Sequence, residues 1–373
     1  FAELPVQVQR AVRDRWGAPE TDPMFVPGEV DCGRFAVSAF RLGKVAICLQ
    51  PARGYNIDPK STYHDPDLVP PHGYLAFYGW LRREFAADAV IHFGKHGNLE
   101  WLPGKSLGLS NQCFPEVALG PMPHLYPFIV NDPGEGTQAK RRTSAVIIDH
   151  LTPPLTRAES YGPLADLELL VDEFYEASGV DPRRLKVLRS EILTLCAATG
   201  LDADCGMDKA ADEEAALGQL DNYLCELKEM QIRDGLHIFG AAPEGRLLTD
   251  LLVALVRVPR SAGDAGDASL LRAMADDLGL QFDPLDCEMA TPWQNPKPDV
   301  LTGTGNWRSA GDTVERLEEL AARLICGVAK PNPDWVRTSL VLENVEAIIK
   351  PAVEACGAAE LAGLLCGLNG RFV

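Results

Sequence analysis

No Cys-x-x-Cys pair occurs among the ten cysteines of this 373-residue chain, and most of them sit in apolar stretches such as Val45-Ala46-Ile47-Cys48-Leu49. Zinc ribbons and disulfide scaffolds need closely paired cysteines, so both are disfavoured and the thiols read as buried and reduced, in a cytoplasmic setting. No apolar run approaches the ~18–20 residues that span a bilayer, and Phe1-Ala2-Glu3 carries neither the basic nor the apolar region of a signal peptide. Low-complexity tracts are absent too, and with 46% hydrophobic and 24% charged residues the composition is that of a folded globular protein. An initiator methionine is missing, and the chain stops at Gly370-Arg371-Phe372-Val373 without a polar tail, which reads as an internal piece of something longer.

Positive charge is also in short supply, the net charge being −18. Nucleic acid and anionic membranes both require a basic surface, so neither is an expected partner. The imbalance is local: residues 1–160 carry 16 Lys and Arg against 17 Asp and Glu, and the remainder 19 against 36. Six of the seven histidines (His64, His72, His92, His96, His124, His150) precede residue 151, which places any chemistry in the first part.

The length suits two or three domains. Apolar spacing predicts a helix from Leu4 to Trp16, strands at 35–40 and 45–49, a helix over 74–85, strands at 89–93 and 128–130, and a helix over 137–148. Strands alternating with helices imply an α/β layered N-terminal part with short, mostly buried strands, spanning 1–155. Helical periodicity then dominates (Leu164–Ser178, Pro182–Gly200, Glu213–Gly235, Gly245–Val258, Leu270–Leu278, Thr313–Cys326, Leu340–Leu365), so 156–373 is expected to be a mainly α-helical part. The Pro/Gly-rich loop from Pro51 to Gly73, with Arg53, Tyr55 and His64, is long enough to cover a site.

The densest motif is His92-Phe93-Gly94-Lys95-His96-Gly97-Asn98-Leu99-Glu100-Trp101-Leu102-Pro103-Gly104-Lys105-Ser106. Its glycines weaken a continuous helix, which leaves His92 at a strand end, His96 in a turn and Glu100 at the start of a short helix. Two imidazoles and a carboxylate suit a borderline divalent metal, whereas the bland reading makes His92 a core histidine and Glu100 a capping carboxylate; spacing alone weighs the two evenly. Lys95 stands where a zincin has its glutamate, and the register of Gly104-Lys105-Ser106 fails for a phosphate-binding loop, so this chain is expected to bind no ATP. A second motif, Asn131-Asp132-Pro133-Gly134-Glu135-Gly136-Thr137, precedes the basic Lys140-Arg141-Arg142, and predicts an anion site built from a helix start and real positive charge. Its bland reading is a solvated basic helix face with Glu135 as a dipole partner.

These two motifs, with Leu119-Gly120-Pro121-Met122-Pro123-His124-Leu125-Tyr126-Pro127 between them and Asp149-His150-Leu151-Thr152-Pro153-Pro154 after them, resemble the CobN and magnesium chelatase H-subunit family in order and spacing. Lys95, Asn98 and Trp101 make the wording similar to the cobalt branch. The resemblance implies a chelatase large subunit that inserts Co(II) into hydrogenobyrinic acid a,c-diamide during cobalamin synthesis. ATP and magnesium would be handled by AAA+ partner subunits of the CobS and CobT type. It makes His92, His96 and Glu100 the groups that deliver metal and accept ring protons, and Trp101, Lys105, Glu135, Lys140, Arg141 and Arg142 the groups that hold the tetrapyrrole. The alternatives are a magnesium-chelatase-type subunit binding protoporphyrin IX, and a metal-dependent hydrolase built on the same His/Glu cluster.

Overall fold

The structure, a computed structural model, describes residues 1–28, 33–54, 67–94, 97–153, 155–157, 163–177, 182–199, 201–205, 207, 212–229, 231–233, 236–303 and 307–371. Contacts divide the chain into two compact units, residues 1–152 with 357–373, and residues 153–356.

The first unit opens with α1 (Val6–Trp16), which buries Val8 and Val12 and stops at Gly17, whose φ of +76° suits only glycine well. Two antiparallel ribbons follow: β1 (Phe25–Val26) with β2 (Arg34–Phe35), and β3 (Ala39–Leu42) with β4 (Val45–Cys48). Next, α2 (His72–Arg83) lays Tyr74, Phe77, Tyr78 and Leu81 into the core. The layered part proper comprises β5 (Val90–Ile91), α3 (Phe114–Leu119), β6 (His124–Ile129), α4 (Pro133–Arg142) and β7 (Val146–His150). Its sheet is parallel with strand order β5-β6-β7, and all six residues of the central β6 are buried, as covering both faces of a parallel sheet demands.

Here the predicted helix over 137–148 needs correction. Proline fits the first turn of a helix, so α4 begins at Pro133 and takes both Gly134 and Gly136 inside it. It ends at Arg142, Ser144 adopts a φ of +51°, and the β-branched run after Ala145 becomes β7.

In the second unit β8 (Leu155–Arg157) pairs antiparallel with β9 (Gln231–Arg233). Between them lie α5 (Pro163–Ala177), α6 (Pro182–Thr199) and α7 (Glu213–Glu229), which share a core of Leu167, Val171, Ile192, Cys196 and Leu220. The helix expected over 213–235 therefore ends six residues early, because Gln231–Arg233 is claimed by a strand partner far away in sequence. Then come α8 (Gly245–Arg257), α9 (Leu270–Asp277), α10 (Ala310–Ile325), α11 (Val336–Asn344) and α12 (Lys350–Leu368), whose residues from 357 on belong to the first unit. The predicted class, an α/β part of short strands followed by a mainly helical part, is the one observed, but the strands of that first part are not mostly buried: β6 is buried throughout, whereas β3 is exposed along its length.

A wide π turn at Val345–Ile349 joins α11 and α12 into one helix. By length and composition this helix, Val336–Leu368, is apolar enough to cross a membrane, although no unbroken apolar run marks it in the sequence, its apolar character being diluted among Ala and Gly. Within the first unit its Glu360 is 4% exposed and accepts a hydrogen bond from the Leu151 amide at 3.1 Å, so this part of the helix is packed against protein.

Candidate functional site

The period-two alternation of strands puts His124, Tyr126 and Phe128 of β6 on one face of the sheet, beside His92 just beyond β5. The rings form a contiguous row. His92 and His124 have centroids 4.5 Å apart, His92 and Tyr126 5.8 Å, and Tyr126 and Phe128 5.0 Å. Onto this row α2 lowers Tyr74 and Tyr78, which four-residue spacing places on one helix face with their rings 5.3 Å apart.

Hydrogen bonds string these groups together. The Tyr78 hydroxyl lies 3.2 Å from His92 Nε2, His92 Nδ1 lies 3.0 Å from His124 Nε2, and His124 Nδ1 lies 3.0 Å from Thr143 Oγ1. Gln50 donates to Tyr78 at 2.7 Å, and Tyr74 donates to Asn98 at 2.6 Å. Burial holds both imidazoles neutral: His92 is pushed down to about 3, with neighbouring His124 adding to the effect, and His124 to about 4. Burial likewise raises Tyr74 and Tyr78 well above the ordinary phenol range, with the Glu100 charge contributing to both.

Glu100 sits in a 3₁₀ turn, Leu99–Trp101, whose flanking Leu99 and Leu102 are completely buried and fix it in place. The carboxylate is itself fully enclosed. A Cβ placed on Gly97 would lie 2.7 Å from the Tyr126 hydroxyl and 2.8 Å from both Glu100 oxygens, so the glycine lets the backbone pass directly over that pair. Gly97→Ala is therefore expected to push Glu100 or Tyr126 out of place and to destabilise the fold by about 1–3 kcal/mol, the usual cost of overpacking. Thermal melts with the alanine variant matching the parent would show that the turn has slack there.

Two buried guanidiniums grip the same segment through its carbonyls. Arg142 donates to Glu100 O at 2.8 Å and to Lys105 O at 3.1 Å, and Arg53 donates to Trp101 O at 3.3 Å. Cys113 braces the next loop by accepting from the amides of Lys105 and Ser110, each at 3.4 Å. Burial raises this thiol, but the donated hydrogen bonds outweigh it and bring the thiol below its ordinary value.

The structure thus brings His92 and Glu100 together around Tyr126. His96 lies outside the described residues, as do Lys95 and residues 55–66 of the long loop. Trp101 and Lys105 expose their side chains and Glu135 is half-buried. Because α4 starts at Pro133, Lys140, Arg141 and Arg142 occupy its last turn rather than its first, where they complement the helix dipole. They stand roughly 10 Å from the amides at the helix start, at 1.5 Å per residue, so the anion site expected from the two together is not assembled. Lys140 and Arg141 face solvent, and only Arg142 turns inward. Sequence reasoning missed His124 as a partner of His92, Thr143 as the partner of His124 behind it, and Tyr74, Tyr78 and Tyr126 around them. The alternation of His124, Tyr126 and Phe128 was the signal available.

A cavity of about 690 Å³ opens over this arrangement, with His92, Gly97 and Tyr126 at its polar end and Ile47, Leu81 and Phe85 among its apolar walls. Both ring nitrogens of His92 are engaged, and among the described residues no three His, Cys, Asp or Glu side chains gather as a metal-binding set. What the arrangement offers is an enclosed carboxylate, neutral imidazoles and phenols beside a largely apolar chamber: proton acceptors next to a space for a large, flat, mainly apolar ligand.

The family model for CobN/magnesium chelatase matches residues 1–373. The aerobic cobaltochelatase subunit CobN of Sinorhizobium sp. is 59% identical over 393 residues, covering all of this chain and 30% of that protein. The magnesium-chelatase H-subunit of Chlorobaculum parvum is 33% identical over 270 residues, covering 71% of this chain and 20% of that protein. Among solved structures, the catalytic subunit of cobaltochelatase from Mycobacterium tuberculosis superimposes with a TM-score of 0.74 at 38% identity, covering the whole chain and 31% of that structure. The chain spans about a third of the length of these cobaltochelatase relatives.

Proposed function

The chain belongs to the CobN/magnesium chelatase family, and from that premise we propose that it is the part of a cobaltochelatase large subunit that holds the tetrapyrrole and receives its protons as the metal enters. The substrates are Co(II) and hydrogenobyrinic acid a,c-diamide, and ATP is hydrolysed on AAA+ partners of the CobS and CobT type, in the cytoplasm. Identity favours cobalt over magnesium, 59% against 33%.

One observation carries the reading: the enclosed Glu100 carboxylate and the Tyr126 hydroxyl both lie close to Gly97, and Gly97 and Tyr126 line a cavity whose walls are largely apolar. A macrocycle is apolar over its faces and reactive only at its central nitrogens. Metal insertion needs those nitrogens stripped of protons and the ion stripped of water. Glu100 and His96 are the groups that receive the ion, and Glu100 and His92 those that take up protons. Set in a low-dielectric chamber, an anionic carboxylate attracts the entering cation far more strongly than it would in water. A hydrolase needs a tightly held resident metal, and the engagement of both His92 nitrogens argues against that use of the cluster.

The test is titration of the complete subunit with hydrogenobyrinic acid a,c-diamide, without metal or partners, followed by tryptophan quenching and ring absorbance. Saturable binding is expected in the metal-free protein. Tight retention of a metal ion with no response to the macrocycle would overturn the proposal in favour of the hydrolase.

A further inference from the structure

The first unit turns two apolar faces outward. In the β3–β4 ribbon the register sets Phe40 opposite Ile47 and Leu42 opposite Val45, and directly opposed residues share a face, which Leu49, two positions past Ile47, extends. These five side chains are 53–75% exposed. The other face of the ribbon is the one the unit uses: Cys48 packs against the core, and the Arg41 guanidinium lies 5.3 Å from the centre of the Phe85 ring. From residue 357 on, α12 is inverted in the same sense. Glu360 is the only charged residue between Gly357 and Leu368, and it is buried, accepting from the Leu151 amide, while Ala358, Leu361, Ala362, Leu365 and Leu368 make up the exposed side. Apolar faces of this extent belong against another surface.

We propose that the outer face of the β3–β4 ribbon and the outer face of α12 are permanent docking surfaces for the remainder of the same large-subunit polypeptide, the part that the relatives carry beyond the matched segment. Its length is sufficient: this chain covers 30% of the CobN of Sinorhizobium sp. and 31% of the M. tuberculosis catalytic subunit, leaving more than two thirds of each to supply the cover. The chemistry of the faces selects the same occupant. Neither face bears a charged side chain. Contacts that form and dissolve are polar, whereas permanent ones resemble a core cut in two, so the faces fit the subunit's own chain better than a partner that exchanges. On α12, Ala358 and Ala362 lie one turn apart, and small side chains there let a second helix approach closely. A bilayer fits poorly, because the opposite flank of this helix segment holds Glu360 against protein. A ligand in the cavity does not account for the faces either: Val45, Ile47, Leu49 and Leu368 line it, but Phe40, Leu42, Leu361 and Leu365 do not. The inference rests on the large-subunit reading for the existence of the covering segment, and on nothing in the chemistry of the cavity.

The test uses the complete subunit carrying Leu42→Cys or Leu361→Cys, one on each face and neither lining the cavity. N-ethylmaleimide is added, and its label at that position is read by peptide mass spectrometry. Without partner subunits, metal or macrocycle, the introduced thiol is expected to react about 100-fold or more slowly than in the same protein unfolded in guanidinium, the protection of a surface freed only by local opening. The rate should not change on about tenfold dilution of the protein. Labelling at the unfolded rate overturns the proposal. Protection that appears only with the ATPase partners, only with macrocycle, only with phosphatidylcholine vesicles, or only at high protein concentration also overturns it, and assigns the face to those partners, the ligand, a membrane or a second copy respectively. Leu42→Glu and Leu361→Glu should each lower the Tm of the complete subunit by about 5 °C or more, since the carboxylate would be sealed in an apolar contact. Glutamate variants that melt with the parent, as at a free surface, overturn the docking independently of the labelling. A complete subunit that binds no macrocycle sinks the chelatase reading instead and leaves both readouts intact.

Discussion

Glu100→Gln in the reconstituted multisubunit enzyme is expected to lower cobalt insertion by ~100-fold or more, the scale of a lost general base, while leaving macrocycle affinity within about twofold. The substitution keeps the shape of the side chain, and Leu99 and Leu102, both fully buried, keep the turn where it is. What disappears is the negative charge and the proton-accepting oxygen beside Gly97, which lines the cavity. Glu100 also influences its neighbours, favouring the protonated phenols of Tyr74 and Tyr78 and the charged form of Arg142. Neutralising it removes the counter-charge of a buried guanidinium, so the variant's fold must be checked by thermal melting alongside activity. Near-normal insertion by a well-folded Glu100→Gln would return this residue to a structural role.

The division of labour that follows is spatial. On the proposed reading, the apolar walls of the cavity, Phe85 and Ile47 among them, would recognise area and shape, which would bind a macrocycle without distinguishing its reactive state. The polar end would act only on the ring centre. Such a separation would make binding insensitive to Glu100 and His92, while insertion would depend on both.

Much of the helical unit was legible because burial there follows a single stripe per helix. The apolar spacing of Gly245–Val258 matches α8, whose Leu251, Leu252 and Val256 are buried. Boundaries failed where tertiary partners outbid local pattern. Gln231–Arg233 reads as the end of a helix until Leu155–Arg157 offers it a ladder, and Gly134 and Gly136 read as loop until Phe128 packs against the helix at Gly136. In the candidate site, the position of Glu100 in a turn after a strand follows from the glycines around it. The hydrogen-bonded row behind His92 could not be read that way. His124 is separated from His92 by 32 positions and from Thr143 by 19, and only the parallel register Val90↔His124 brings the rings together.

The correction to α4 carries the second large expectation. Had Arg142 belonged to a first helical turn it would serve an anion from outside; in the last turn, at 8% exposure, it serves the protein. Its guanidinium closes the Glu100 turn and the Lys105 loop onto the end of α4 through two carbonyls, and burial opposes its charge while Cys113 and Glu100 favour it. Arg142→Ala strands both carbonyls and takes a cation away from the neighbourhood of Glu100. At about 1.5–3 kcal/mol for each hydrogen bond to a charged group, the loss should reach about 3 kcal/mol or more. For a unit of this size that corresponds to a fall in Tm of ~6–12 °C. Arg142→Lys, which offers a point charge but no fork, should recover only part of it. Calorimetry of the complete subunit reads both variants, and the melting transition to follow is that of the unit holding the sheet. A shift of less than about 2 °C in Arg142→Ala, too small for two lost charge-assisted bonds on that scale, would mean that the turn carrying Glu100 is held by Leu99, Leu102 and Arg53 without help from α4.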